Sequence, residues 1–202
     1  MKQVKKNLGK LPPVWVADAG YGSEENYLAM QAEQITSYVK YNTFYKESKK
    51  RYKISEKEKY QFSKFQYDEQ KDTFTCPMGK ELIFEKIKPE KTATGFITEK
   101  RTYRCLDCDP CPSQQSCTQS KYGRSIQFSP TLARIRKEAY QRLISDQGRK
   151  LRALRYIEVE AVFGMIKGNK SFRRFHLRGK DKVEVEWGLL SLAHNMTKIA
   201  TI

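Results

Sequence analysis

Histidine is nearly missing from this sequence. There are two, His176 and His194. Neither has a ligand partner at metal spacing, so both read as structural. No run of 18 apolar residues occurs, so nothing in the sequence spans a membrane as a helix. The opening stretch MKQVKKNLGKLPP lacks the apolar core of a signal peptide. A cytoplasmic protein with reduced cysteines is therefore expected. Acid is also in deficit, with 23 Asp+Glu against 39 Lys+Arg and a net charge of +16. That imbalance favours a polyanionic partner, DNA or RNA. A membrane surface fits less well, because no long basic amphipathic helix stands out.

What is present can fold. The 202 residues suffice for one ordinary domain, or one domain with a large insertion. A hydrophobic fraction of 39% can form a core, and 12% aromatics argue against disorder. Residues 2–8 read as helix, stopped by Pro12 and Pro13. Val14-Trp15-Val16-Ala17 is a short apolar run of the buried-strand kind. Asp18 ends it, Gly20 and Gly22 turn the chain, and Ser23 caps a helix with Glu24 and Glu25 in its first turn. Residues 35–41 alternate as a second strand. The result is a strand–helix–strand unit of α/β type over residues 1–43.

Residues 44–128 change character. They are dense in mixed charge, then rich in turns, β-formers and cysteine, and read as an insertion of short strands. Helical pattern returns at Ser129-Pro130, a cap followed by proline at the first helical position, and runs to a break near Gly148. A second helix spans about 150–167 and a last one about 181–200. In the last helix Val185, Leu189, Leu192, Met196 and Ile199 recur as a core-facing stripe.

The stretch Arg155 to Gly179 carries most of the chemistry. Glu160 precedes Lys167 by seven residues, close to two helical turns, so both lie on one face. Gly164 lies between them on that face and leaves room for a bulky ligand. Asp18 sits where a strand ends, the place at which ligand sites gather in open α/β sheets, although aspartate before glycine is also an ordinary turn residue. Two such carboxylates on different elements can bind a hard divalent cation, Mg²⁺ or Mn²⁺, together with phosphate oxygens. After Lys167 come Lys170, Arg173, Arg174 and Arg178, interleaved with Phe172 and Phe175. Arginine forks suit phosphate, and the phenylalanines can anchor such a loop inward while the arginines face out.

Cys105, Cys108, Cys111 and Cys117 form C-x2-C-x2-C-x5-C, with Cys76 earlier in CPMGK. Two knuckles brought together suit a structural Zn²⁺. Cys76, Cys108, Cys111 and Cys117 form the expected set, with Cys105 as a spare or alternate. Metal-free buried thiols and an iron–sulfur cluster are the rivals.

Two blocks resemble the catalytic domain of bacterial insertion-sequence transposases of the DDE type: VADAGYGSEENY at 16–27 and VEAVFGMIKGNKSFRRFHLRGKDKVEVEWGLLSLAHNMTK at 159–198. The cysteine block is similar to an insertion in one branch of that family. The resemblance implies an RNase H-like α/β fold, here interrupted over 44–128 and resumed over 129–202. It implies metal-dependent cleavage and strand transfer on transposon ends and target DNA, and a bacterial, nucleoid-associated protein. It makes Asp18 and Glu160 metal ligands and Lys167 a DNA contact. Many members carry arginine four residues before that Glu; here Tyr156 holds that place and Arg155 precedes it. The family's first Asp has no counterpart, since no acid precedes Asp18. A fragment, inactive by itself, is expected, completed by an N-terminal part or a second copy. The competing reading is a non-catalytic, zinc-stabilised DNA-binding remnant or regulator of transposition. A protein-interaction module ranks last, because it does not need the acid–lysine helix.

Overall fold

A short helix, α1 (Lys2–Leu8), ends on Gly9, whose φ of 72° is the left-handed conformation glycine takes without strain. The computed structural model describes residues 1–48, 58–109, 111–168 and 172–200. It divides into two units, Met1–Ser145 and Asp146–Ile202. The chain is a mixed α/β protein in which one antiparallel sheet and several helices dominate.

In the first unit, β1 (Val14–Ala17) pairs in parallel with β2 (Thr36–Val39), in register from Val14 with Thr36 to Ala17 with Val39. Helix α2 (Glu24–Ala32) connects them, and Ser23 caps it as expected, its Oγ accepting from the Asn26 amide at 3.2 Å. Gly22 has no room for a side chain: a Cβ there would stand 2.3 Å from the Lys40 carbonyl oxygen. The turn after Asp18 thus lies directly against the end of β2. Tyr27, buried in α2, donates from its hydroxyl to the Val39 carbonyl at 2.7 Å. Burial pushes that hydroxyl's pKa up to about 12. Helix α3 (Phe44–Ser48) follows, with Phe44 buried.

A five-stranded antiparallel sheet comes next, in the order β3 (Gln66–Asp68), β4 (Thr73–Thr75), β5 (Glu81–Lys91), β6 (Ile97–Arg104) and β7 (Ser125–Phe128). Its core is Phe65, Phe74, Leu82, Tyr103, Cys105 and Ile126. The strands are not all short: β5 runs for 11 residues. Its far end pairs only with β6, as a two-stranded ribbon. Pro89 lies in this ribbon, opposite Glu99 of β6, at an edge position of the kind where proline is tolerated in sheets. The small helix α4 (Gln114–Cys117) lies in the β6–β7 connection.

Helix α5 (Pro130–Ile144) starts on Ser129, whose Oγ accepts from the Leu132 amide, and buries Ile135, Ala139 and Leu143. It packs on β2 and α2. Arg142 Nη1 donates to Ser37 Oγ at 3.0 Å. Glu24 ties the parts of this unit together. Its Oε2 accepts from Thr98 of β6 at 3.0 Å and from Ser129 at 2.9 Å.

The expected break at Gly148 falls at Ser145, which turns extended with ψ 161° while its hydroxyl donates to the Arg142 carbonyl. Gly148 is buried inside α6 (Asp146–Arg155). The second unit continues through a π-helical turn, Tyr156–Glu160, into α7 (Ala161–Gly168) and later α8 (Lys180–Ala200). The helix expected over 150–167 is present, continuous from Asp146 to Gly168, with a π-helical turn inside it. The α8 stripe expected to face the core is exposed, from 56% at Leu192 to 73% at Ile199. The packed face carries Trp187 and the buried His194 instead. No helix among the described residues is long and apolar enough to cross a membrane.

Candidate functional site

Asp18 stands at the carboxyl end of β1, where its backbone stays extended and its Oδ1 accepts from the Gly20 amide at 3.1 Å. The local role is an N-cap on the short turn Ala19–Tyr21. This fixes the carboxyl group at the carboxyl end of the parallel pair.

Glu160 and Lys167 belong to the second unit, and Asp18 to the first. Both second-unit side chains are exposed. Glu160 closes the π-turn, and its Oε1 accepts from Arg155 Nη1 at 2.6 Å. The spacing is five residues, the separation that a π-helix, with its i→i+5 hydrogen bonding, brings onto one face. Arg155 is the more enclosed partner, its side chain 17% exposed against 46% for Glu160. A Cβ on Gly164 would meet nothing within 4 Å, so this face of α7 is open.

Beyond α7, Arg173, Arg174 and Arg178 are exposed. Lys170 lies outside the described residues. Phe172 and Phe175 turn toward Trp187, with ring centroids 6.3 Å from it in each case, and Phe163 stacks on the same indole at 5.5 Å. Glu186 gathers the segment, accepting from the His176 and Leu177 amides at 3.0 Å each. Those two backbone donors hold its carboxyl below the usual glutamate range. The arginines thus project from a loop fastened by aromatic rings and one carboxylate.

The five cysteines are free thiols and line one small cavity of about 20 Å³, beside Lys80 and Arg124. Among the described residues, no group of three or more His, Cys, Asp or Glu side chains is gathered as a ready metal site. Two sulfurs accept backbone N–H groups: Cys76 from Lys80 at 3.3 Å and Cys108 from Arg124 at 3.2 Å. Burial raises the Cys117 thiol, and it pushes Cys105 up to about 11.

Two features escape sequence reasoning. Asp72 accepts from the hydroxyls of Tyr67 at 2.7 Å and Tyr103 at 2.6 Å, joining strands far apart in the chain. The π-turn has no compositional signal of its own. The one hint is Arg155 standing one place early.

Comparison with protein families matches residues 75–200 to a model described as a transposase DDE domain. No curated protein matches the chain, and no solved structure does. The matched span includes the cysteines, Glu160, Lys167 and the basic loop; Asp18 lies before it.

Proposed function

The chain belongs to the transposase DDE domain family, and from that premise we propose that it serves DNA cleavage and rejoining that depends on divalent cations, with Asp18 and Glu160 as candidate ligands. The observation that carries this reading is the family match across Glu160, Lys167 and the arginines that follow. Asp18 enters on its position at the end of a parallel strand.

The donor chemistry fits. Carboxylate oxygens suit Mg²⁺ or Mn²⁺, and Glu160 offers an exposed carboxylate steadied by Arg155. When bound, such cations activate the attacking oxygen and stabilise the leaving oxygen of a phosphodiester. Lys167 contacts DNA beside the cut. Lys170, Arg173, Arg174 and Arg178 hold the backbone of the transposon end or target without reading its bases.

Residues 1–43 and 129–202 form one RNase H-like domain, and 44–128 is a cysteine-rich insertion into it. The return of α5 to β2, with Arg142 on Ser37, supports that reading for residues 130–144. A structural zinc in the cysteine-lined cavity would steady the insertion without entering the chemistry. The protein works at the bacterial nucleoid.

Two carboxylates are sparse for a two-cation clamp. On this reading a third carboxylate is required, and Asp18 and Glu160 alone support weak cleavage at most. This sparseness also favours a second reading, a zinc-stabilised DNA-binding regulator that competes with a complete transposase. Supplying a further aspartate in a longer chain decides between them. Mg²⁺-dependent nicking of the cognate end DNA is expected, and Glu160→Gln should abolish it. Nicking that survives Glu160→Gln would sink the catalytic reading. An inhibitor of transposition that is indifferent to Glu160→Gln would establish the second.

A further inference from the structure

The cavity at the end of the antiparallel sheet joins two distant pieces of chain. Cys76 comes from the β4–β5 turn, and the other four cysteines come from the stretch that follows β6. Its volume of about 20 Å³ suits a single ion or one water, not an organic ligand.

Two turns aim N–H groups at sulfur. In Cys76-Pro-Met-Gly-Lys80 the Gly79 amide donates to the Cys76 carbonyl at 2.9 Å, with Gly79 at φ +76°, and the Lys80 amide then reaches the Cys76 sulfur. At Cys108 the approach comes from Gly123-Arg124. Gly123 has φ +80°, and a Cβ there would stand 2.3 Å from the Cys105 carbonyl oxygen and 3.4 Å from the Cys108 sulfur. Only glycine lets the Arg124 amide come that close.

The surroundings are built for negative charge. A divalent ion with four thiolates is a net anion, and Lys80 and Arg124 line the same cavity. Arg124 also reaches the Cys117 and Tyr60 carbonyls, yet its Nε is buried with no partner among the described residues. A buried, unpaired guanidinium donor in a cysteine-lined cavity is costly unless an anionic group meets it.

We propose that Cys76, Cys108, Cys111 and Cys117 bind one Zn²⁺ as a tetrathiolate site, and that Cys105 is a packing residue of the sheet core. The assignment rests on the reading that the cavity takes a metal. Cys105 is set apart by where it sits: it is 2% exposed within the cluster of Phe65, Phe74, Leu82, Tyr103 and Ile126, whereas the other four are half-buried, with Cys76 and Cys108 packed against that cluster. Binding turns the four sulfurs into the cavity and releases their protons to solvent. The two chain pieces are then stapled at the edge of the sheet core.

The test uses the full chain purified without chelator, with zinc, iron and acid-labile sulfide measured on the folded protein. The expected result is about one equivalent of zinc in the parent chain and in Cys105→Ala, against well under half in Cys108→Ser and Cys117→Ser. X-ray absorption at the zinc edge of the parent chain should show four sulfurs at about 2.3 Å. This measurement needs no variant to fold. Absence of zinc, or iron with sulfide in its place, overturns the metal reading and leaves the DNA-cleavage reading untouched. Zinc lost from a folded Cys105→Ala protein, or fewer than four sulfurs, overturns the assignment alone.

Discussion

Single residues carry the polar joins of this protein, and Asp72 shows how much one carboxylate can hold. It sits in the β3–β4 turn at φ +50° and collects Tyr67, Tyr103 and, at 3.4 Å, Arg101. The hydroxyls of Tyr103 and then Tyr67, with Arg101 behind them, hold its carboxyl below the usual aspartate range. A carboxylate with a depressed folded pKa adds stability that is fully present above its unfolded pKa, near 3.9. That stability is lost as pH falls through the folded value. Asp72→Asn keeps the shape but weakens the acceptor. The site is part-exposed, so the expected loss at pH 7 is modest, about 1 kcal/mol. Urea midpoints of the two proteins should differ at pH 7, and the gap should narrow as pH falls below the unfolded aspartate pKa, about 3.9. A gap that keeps its size as pH falls would show that the loss is steric and that the charge is irrelevant.

Helices and strands were legible where their ends carry chemistry. Ser23 and Ser129 cap the helices that their positions announce, and Val14–Ala17 is a strand because four apolar residues lie between prolines and a glycine turn. The α8 stripe misled because amphipathic spacing names a face and not what covers it. The β5–β6 ribbon was hidden by alternating lysine and glutamate. The helix around Glu160 was legible in kind, but the π-turn was not, because it is a matter of phase. An arginine five residues before a glutamate lies off its face in a regular α-helix. The π-turn Tyr156–Glu160 absorbs the extra residue, and Arg155 meets Glu160 at 2.6 Å. π-turns of this kind recur at functional sites. If Glu160 is a metal ligand as proposed, Arg155 is a positioning residue that orients its carboxylate. Arg155→Gln keeps helix propensity and removes the charge. In the reconstituted cleavage reaction it should weaken activity by about 10- to 100-fold and shift the Mg²⁺ titration to higher concentration. Arg155→Lys should recover part of the shift, because the charge survives while the fork is lost. A lower rate with an unmoved Mg²⁺ titration would mean that Arg155 serves only the helix.

At the scale of the whole molecule, charge and anchoring act together. A net charge of +16 gives any polyanion a favourable encounter, but diffuse charge is screened within about 8 Å at physiological salt and sets no register. The second unit adds what diffuse charge lacks. Phe172, Phe175 and Trp187 fix the loop from within, and Glu186 ties its backbone, so Arg173 and Arg174 project from a fastened support. Fixed arginines displace a defined number of counterions, and each phosphate neutralised contributes about 0.9 to the slope of log affinity against log salt. Replacing Arg173 and Arg174 together by alanine should lower that slope by about 2 and weaken binding alike on end and unrelated duplexes. Replacing two lysines of α1, Lys5 and Lys6, removes the same charge from a helix with no buried residue. That control should leave the slope nearly unchanged. An equal drop in both variants would mean that net charge alone drives binding, and the basic loop would lose its claim as the DNA contact.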